Sequence, residues 1–111
     1  MANYLQAKRS LNFEINFNNK FLCFNFIIVD NEDLKDLEIG DVVQIKIRKQ
    51  HFCYCEVIDK KKLALDEIIV QGLYLLDMGC SEKEYREYWK KETNLSVLFF
   101  KKITQLNLFN S

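Results

Sequence analysis

The chain has no proline, three glycines, one histidine and one tryptophan among its 111 residues. Gly40, Gly72 and Gly79 stand singly. No glycine run can bring backbone amides around a phosphate, so P-loop and dinucleotide-binding fingerprints are excluded. The single histidine, His51, rules out a paired-imidazole acid–base site. Neither sign of charge dominates: sixteen Lys plus Arg meet sixteen Asp plus Glu, for a formal net charge of zero. That balance excludes a basic nucleic-acid arm and an acidic disordered tail. No apolar run approaches the ~20 residues of a membrane-spanning helix, and residues 1–9 carry no secretory pattern. The expectation is a cytoplasmic protein with no membrane attachment, whose Cys23, Cys53, Cys55 and Cys80 are thiols.

Apolar residues are plentiful. Hydrophobic types make up 49% of the chain, with nine Phe and five Tyr, enough to fill the core of one small domain. That domain is expected over 1–103, followed by a C-terminal tail over 104–111.

Leu11, Phe13, Ile15 and Phe17 alternate with Asn12, Glu14 and Asn16, the period of a half-buried strand over 10–17. Asn18-Asn19 tolerates left-handed backbone and supplies a turn. The nearly all-apolar 21–29 reads as a strand covered on both faces, so the two strands are expected as a hairpin. A short helical turn follows over 31–37. Val43, Ile45 and Ile47 share one strand face. Lys49-Gln50 then turns into a returning strand over 52–59, with His51, Cys53, Cys55 and Val57 expected on one side and Phe52, Tyr54 and Glu56 on the other. Lys60-Lys61-Lys62 reads as a basic connection. Asp66 is expected to cap a helix running to about Leu76, broken by Asp77-Met78-Gly79-Cys80. Ser81 and Glu84 form a capping box for a helix reaching about Glu92, with Tyr85, Tyr88 and Trp89 as its apolar stripe. A last strand spans 95–103. Strands outnumber helices and connections are short. The fold class is α+β: a small β-barrel with two to three flanking helices, or a meander sheet backed by helices.

Lys46, Arg48, Lys49, Lys60 and Lys61, with Tyr54 nearby, form a candidate nucleic-acid surface at one end of the barrel. Cations meet phosphates and rings stack on bases, although a solvated strand face has the same composition. His51, Cys53 and Cys55 are metal-ligand types, but no second pair with spacing such as C-x₂-C accompanies them. They read as buried thiols beside a turn histidine, and neither a metal nor another cofactor is expected. Leu106, Leu108 and Phe109 make the tail either a loose end or a docking strand for a protein partner.

Leu37-Glu38-Ile39-Gly40-Asp41-Val42-Val43 resembles the hydrophobic, Gly-Asp, hydrophobic opening of a strand in the ASCH domains, a branch of the PUA-like superfamily. Cys55-Glu56-Val57-Ile58 is similar to that family's return strand. Leu63, Leu65 and Tyr74-Leu75-Leu76-Asp77-Met78-Gly79-Cys80-Ser81-Glu82-Lys83-Glu84-Tyr85 resemble its leucine, aspartate, glycine, serine and acidic-helix segment. Val97-Leu98-Phe99-Phe100-Lys101-Lys102-Ile103 resembles its last barrel strand. The likeness runs in order from about residue 8 to 103.

The resemblance implies a curled barrel with a cleft between barrel and helices, binding RNA, a nucleotide or a nucleoside. Lys20 would contact a phosphate or base carbonyl, with Lys46 and Arg48 on the backbone. Some small members hydrolyse acylated cytidine with a lysine, a threonine three residues later and a glutamate. Lys20 matches the lysine, Cys23 stands in the threonine's place, and the glutamate's place falls at Met78 or Asp77. The implied alternative is therefore an amidohydrolase with Cys23 as nucleophile and Lys20 as its activator. In a regular strand residues three apart point to opposite faces, so this alternative needs a turn or bulge at Lys20. A protein-interaction module, such as a phage or mobile-element accessory factor, is the third reading.

Overall fold

The computed structural model describes residues 7–31, 33–90, 92 and 94–103; the tail expected over 104–111 lies outside them. Five strands form one sheet in the order β1-β3-β4-β5-β2: β1 Arg9–Phe13, β2 Asn25–Asp30, β3 Val42–Ile47, β4 Gln50–Ala64 and β5 Asn94–Ile103. Helices α1 Leu65–Val70, α2 Leu73–Asp77 and α3 Glu82–Tyr88 lie between β4 and β5 in sequence. The α+β class with flanking helices is as expected. The expected hairpin is not: β1 pairs in parallel with β3, and β2 pairs antiparallel with β5. These two strands end up at opposite edges of the sheet.

The sheet curls so that both edges share one core. Leu11 of β1 and Phe26 and Ile28 of β2 pack in the same apolar cluster as Val43, Ile45, Cys55, Val57 and Phe100. A second cluster fills the space between the outer face and the helices, with Ile27, Val29, Leu95 and Val97 against Ile68, Tyr85 and Trp89. Because β2 and β5 give alternate residues to the two cores, their sequences read as continuous apolar runs.

The seam between β1 and β2 is filled by side chains. A tight 3₁₀-type turn over Phe17–Leu22, with Asn18 and Asn19 in the left-handed region, ends the first strand at Phe13 instead of 17. Asn tolerates that conformation well. The turn drives Phe21 into the seam, where its ring lies 4.9 Å from Phe13 of β1 and 5.0 Å from Phe26 of β2.

Lys60, Lys61 and Lys62 are not a connection. They continue β4, paired with Leu98, Val97 and Ser96. The β3–β4 turn sits one residue earlier than expected, on Arg48 and Lys49, both at positive φ. A bulge between Ile45 and Lys46 places His51 opposite Lys46 and Cys53 opposite Ile45. His51 therefore joins the Tyr54 side, bonded to Gln44 at 2.7 Å and 4.8 Å from the Tyr54 ring. Cys53 and Cys55 point into the core. Among the described residues no three His, Cys, Asp or Glu side chains gather as a metal site, and no helix is long and apolar enough to cross a membrane.

The helical segment splits at Gly72 (φ +75°), and Asp66 does not cap it. The Ala64 amide donates instead to Glu67 Oε1 at 2.9 Å. The Ser81–Glu84 capping box forms as expected, but α3 stops at Tyr88. Gly79 (φ +67°) closes the α2 end against the 3₁₀ turn. A Cβ there would lie 2.7 Å from Asn18 Oδ1, and Asn18 cannot simply move, because its Nδ2 donates to the Leu75 carbonyl at 3.0 Å. Gly79→Ala should lower the unfolding free energy by about 1–3 kcal/mol. It should cost more than Gly40→Ala, whose Cβ meets open space. Urea melts measure both, and equal losses would show that the Asn18 junction does not matter.

Candidate functional site

The Asn18–Gly79 junction brings the residue after the left-handed pair, Lys20, against the last residue of α2, Asp77. Lys20 Nζ lies 2.5 Å from Asp77 Oδ1, with side-chain exposures of only 7% and 3%. The other carboxylate oxygen accepts from the Tyr85 hydroxyl of α3 at 2.9 Å. One buried carboxylate thus ties the 3₁₀ turn, α2 and α3 together. Burial pushes the Lys20 ammonium below its ordinary pKa, and the Asp77 charge and hydrogen bond partly restore it. The Tyr85 phenol is pushed well up, first by burial and then by the Asp77 charge. Trp89 Nε1 is buried beside this group, where it offsets part of the rise in the Tyr85 pKa.

Above the pair lies a cleft of about 280 Å³. Its walls are the outer edge of β1 (Arg9–Phe13), the end of β2 (Ile28–Asp30), Lys20 and Asp77, and the Tyr88 and Trp89 rings of α3. Those rings meet edge to face at 4.8 Å and 82°; Trp89 is buried and Tyr88 is 61% exposed. Among the described residues the outer edge of β1 ends the strand order, so it offers main-chain donors and acceptors to the cleft. The two cations of the cleft are already committed, while the Asp30 and Asp33 carboxylates that also line it are in no ion pair among the described residues. Arg9 holds Asp36 at 2.9 Å and the Asp33 carbonyl at 2.8 Å, while Lys20 holds Asp77. Burial raises the Asp30 pKa.

The residues singled out in the sequence fall into separate places. Lys20 and Asp77 meet. Cys23 is exposed and lines a different hollow on the outer face, about 400 Å³, which Lys20 also borders and Asp77 does not. Lys46, Arg48, Lys49 and Tyr54 gather with His51 at the β3–β4 hairpin tip. Arg48 reaches the Glu14 carbonyl at 3.2 Å. Lys60 and Lys61 stand some eleven residues further along β4, about 30–35 Å away at strand rise, so the basic residues do not form one patch. Lys60 is a staple: its Nζ donates to the Lys35 and Leu37 carbonyls at 2.9 and 2.7 Å. Lys61 lies 5.7 Å from the Phe99 ring. Tyr85, which the sequence marks only as a stripe residue, is the second partner of Asp77. The available signal is a tyrosine on a buried helix face, whose hydroxyl needs a partner.

No protein-family model and no curated protein matches the sequence. Solved structures do. A serine-to-alanine mutant of ZmASCH from Zymomonas mobilis superposes at TM-score 0.67 and 9% identity, covering 90% of this chain and 76% of that one. The ASCH protein of the same organism gives 0.61, with the same identity and coverage. A hypothetical protein, PH0355, gives 0.61 at 11% identity, covering 86% of this chain and 98% of its own. The chain has an ASCH-like fold.

Tyr85 supplies a pH test. The unfolded chain releases a phenol proton near pH 10, whereas the folded chain holds the Tyr85 proton beyond that. The folded form then binds more protons, so this contribution is complete below pH 10 and is lost as pH rises through the folded pKa. Urea midpoints should fall more between pH 8 and pH 11 for the unmodified chain than for Tyr85→Phe. Parallel pH profiles would contradict the burial of the Tyr85 phenol beside the Asp77 charge.

Proposed function

We propose that this domain takes one unstacked nucleobase, from single-stranded RNA or from a nucleoside or nucleotide, into the cleft between the β1–β2 seam and α3. The carrying observation is the juxtaposition in one small cleft of the exposed Tyr88 ring and a strand edge that is unpaired among the described residues. A ring for stacking and main-chain groups for the base edge are what single-strand recognition requires. The volume suits a single base better than a large ligand, since drug-sized pockets run roughly 300–1,000 Å³.

The same geometry divides the work. Arg9 and Lys20 are neutralised by their own acids, so the cleft accepts the uncharged ring and leaves phosphate outside. Phosphate has a place at the hairpin tip. There the Lys46 and Lys49 ammonium groups have no ion-pair partner among the described residues, and the Lys49 amide is bonded to Asn12 of the cleft wall at 2.5 Å. Binding is favoured over amide hydrolysis because Cys23 and Asp77 border different hollows.

The sole tryptophan lines the cleft, so its emission reports occupancy directly. Titration with a short single-stranded RNA should quench Trp89, and Tyr88→Ala should weaken binding roughly 5–150-fold, the range of one base–aromatic stack. Lys46→Ala and Lys49→Ala should each lower the log–log salt slope by about 0.7 for each phosphate that the side chain neutralises. Undiminished affinity in Tyr88→Ala, or no response of Trp89 to RNA or nucleoside, would overturn the proposal.

A further inference from the structure

With Arg9 and Lys20 each held by an aspartate, the charged groups of the cleft still open to a ligand are acceptors. Asp30 ends β2 half-buried, and it lines the cleft together with the exposed Asp33. A short local network holds the Asp30 carboxylate in place. The Asn31 amide donates to its Oδ1 at 2.9 Å, and Asn31 Oδ1 in turn accepts from the Asp33 amide at 3.3 Å. An ionised carboxylate has about four lone-pair sites and no donor, so the bond from Asn31 leaves both oxygens able to accept from a ligand.

Charge makes a first selection among ligands. The Arg9–Asp36 and Lys20–Asp77 pairs are neutral, so Asp30 and Asp33 leave the cleft negative, a field that repels phosphate and attracts N–H donors. Hydrogen-bond pattern makes the second. An acceptor-only group is repelled by carbonyl oxygens and by bare ring nitrogens. Uracil flanks its one ring N–H with two carbonyls. Cytosine and adenine each set an amino group beside a ring nitrogen that carries a lone pair. Guanine alone places two donors, N1–H and N2–H, side by side with no acceptor between them. That edge is a planar fork of the kind that arginine presents to a carboxylate.

We infer that the base this cleft selects is guanine, with N1–H and N2–H donating to the Asp30 carboxylate and the ring against Tyr88. The inference rests on the cleft's taking a nucleobase, as proposed above, and goes on to say which one. Tyr88 stacks on any base, since every base has a π-face, so discrimination falls to Asp30. Ile28 and Leu34 line the same cleft and are buried, and an apolar surround strengthens a charge-assisted hydrogen bond. Asp33 adds negative charge from its exposed position.

Titration of the full chain with the 5′-monophosphates of guanosine, inosine, adenosine, cytidine and uridine, followed by Trp89 emission, tests this. The guanosine nucleotide should bind roughly 5–150-fold more tightly than the uridine nucleotide, the worth of one bidentate base contact. The inosine nucleotide lacks only the N2 amino group and should fall between them. Asp30→Asn turns one acceptor into a donor and should abolish the preference for guanosine over inosine, while Asp33→Asn should keep it. Equal affinity for all five nucleotides would overturn the inference and leave base binding in the cleft standing. So would a preference for another base, or a guanosine preference that survives in Asp30→Asn. Silence of Trp89 toward every nucleotide would overturn the base-binding proposal itself, and this inference with it.

Discussion

The ion pair between Lys20 and Asp77 holds together a sheet that its hydrogen bonds leave open. The two edge strands, β1 and β2, are not paired to each other. What spans the gap is the turn carrying Lys20 and Phe21, and that turn is fastened to the helices by a carboxylate with both oxygens in use. Removing two charges from water is expensive, and one left alone in the interior costs about 3–5 kcal/mol. The pair is therefore a poor source of stability but a demanding constraint on geometry. Lys20 and Asp77 are 57 positions apart, and among the described residues the ammonium is paired with no other anion. The Asn18 side chain against Gly79 enforces the same docking by shape.

This constraint also makes the cleft. With Lys20 spent on Asp77 and Arg9 on Asp36, the seam presents rings and main-chain groups in place of free cations. The lysines at the hairpin tip have no ion-pair partner among the described residues. A net charge of zero is thus compatible with nucleic-acid recognition when charge is local and acids such as Asp36 and Asp77 are matched within the fold. Lys60 illustrates the matching, since its ammonium caps the carbonyls of the turn before β3 and is not offered to a ligand.

Much of the fold was legible in the sequence, because the local signals were physical ones. The Asn18-Asn19 reversal, the Ser81 capping box, the shared face of Val43 and Ile45 and the last strand all formed where local chemistry placed them. The errors came from non-local choices. No local rule tells Leu11 and Phe13 that their strand will pair in parallel with β3, 34 residues on, instead of with its sequence neighbour. His51 changed sides because one bulge reverses the strand's alternation, and Lys60–Lys62 read as a connection because a two-sided strand can carry lysines along its solvent edge. In the candidate site, Lys20 and Asp77 were both named from the family resemblance. Tyr85 was missed, because its partner lies across a loop from the helix that carries it.

A double-mutant cycle between Lys20 and Asp77 tests the account most directly. Lys20→Met and Asp77→Leu should each cost about 3–5 kcal/mol in urea unfolding, and the double variant should cost less than either single change, because no uncompensated charge remains. Additive losses would mean that the two side chains do not hold each other, and that the seam is closed by something else.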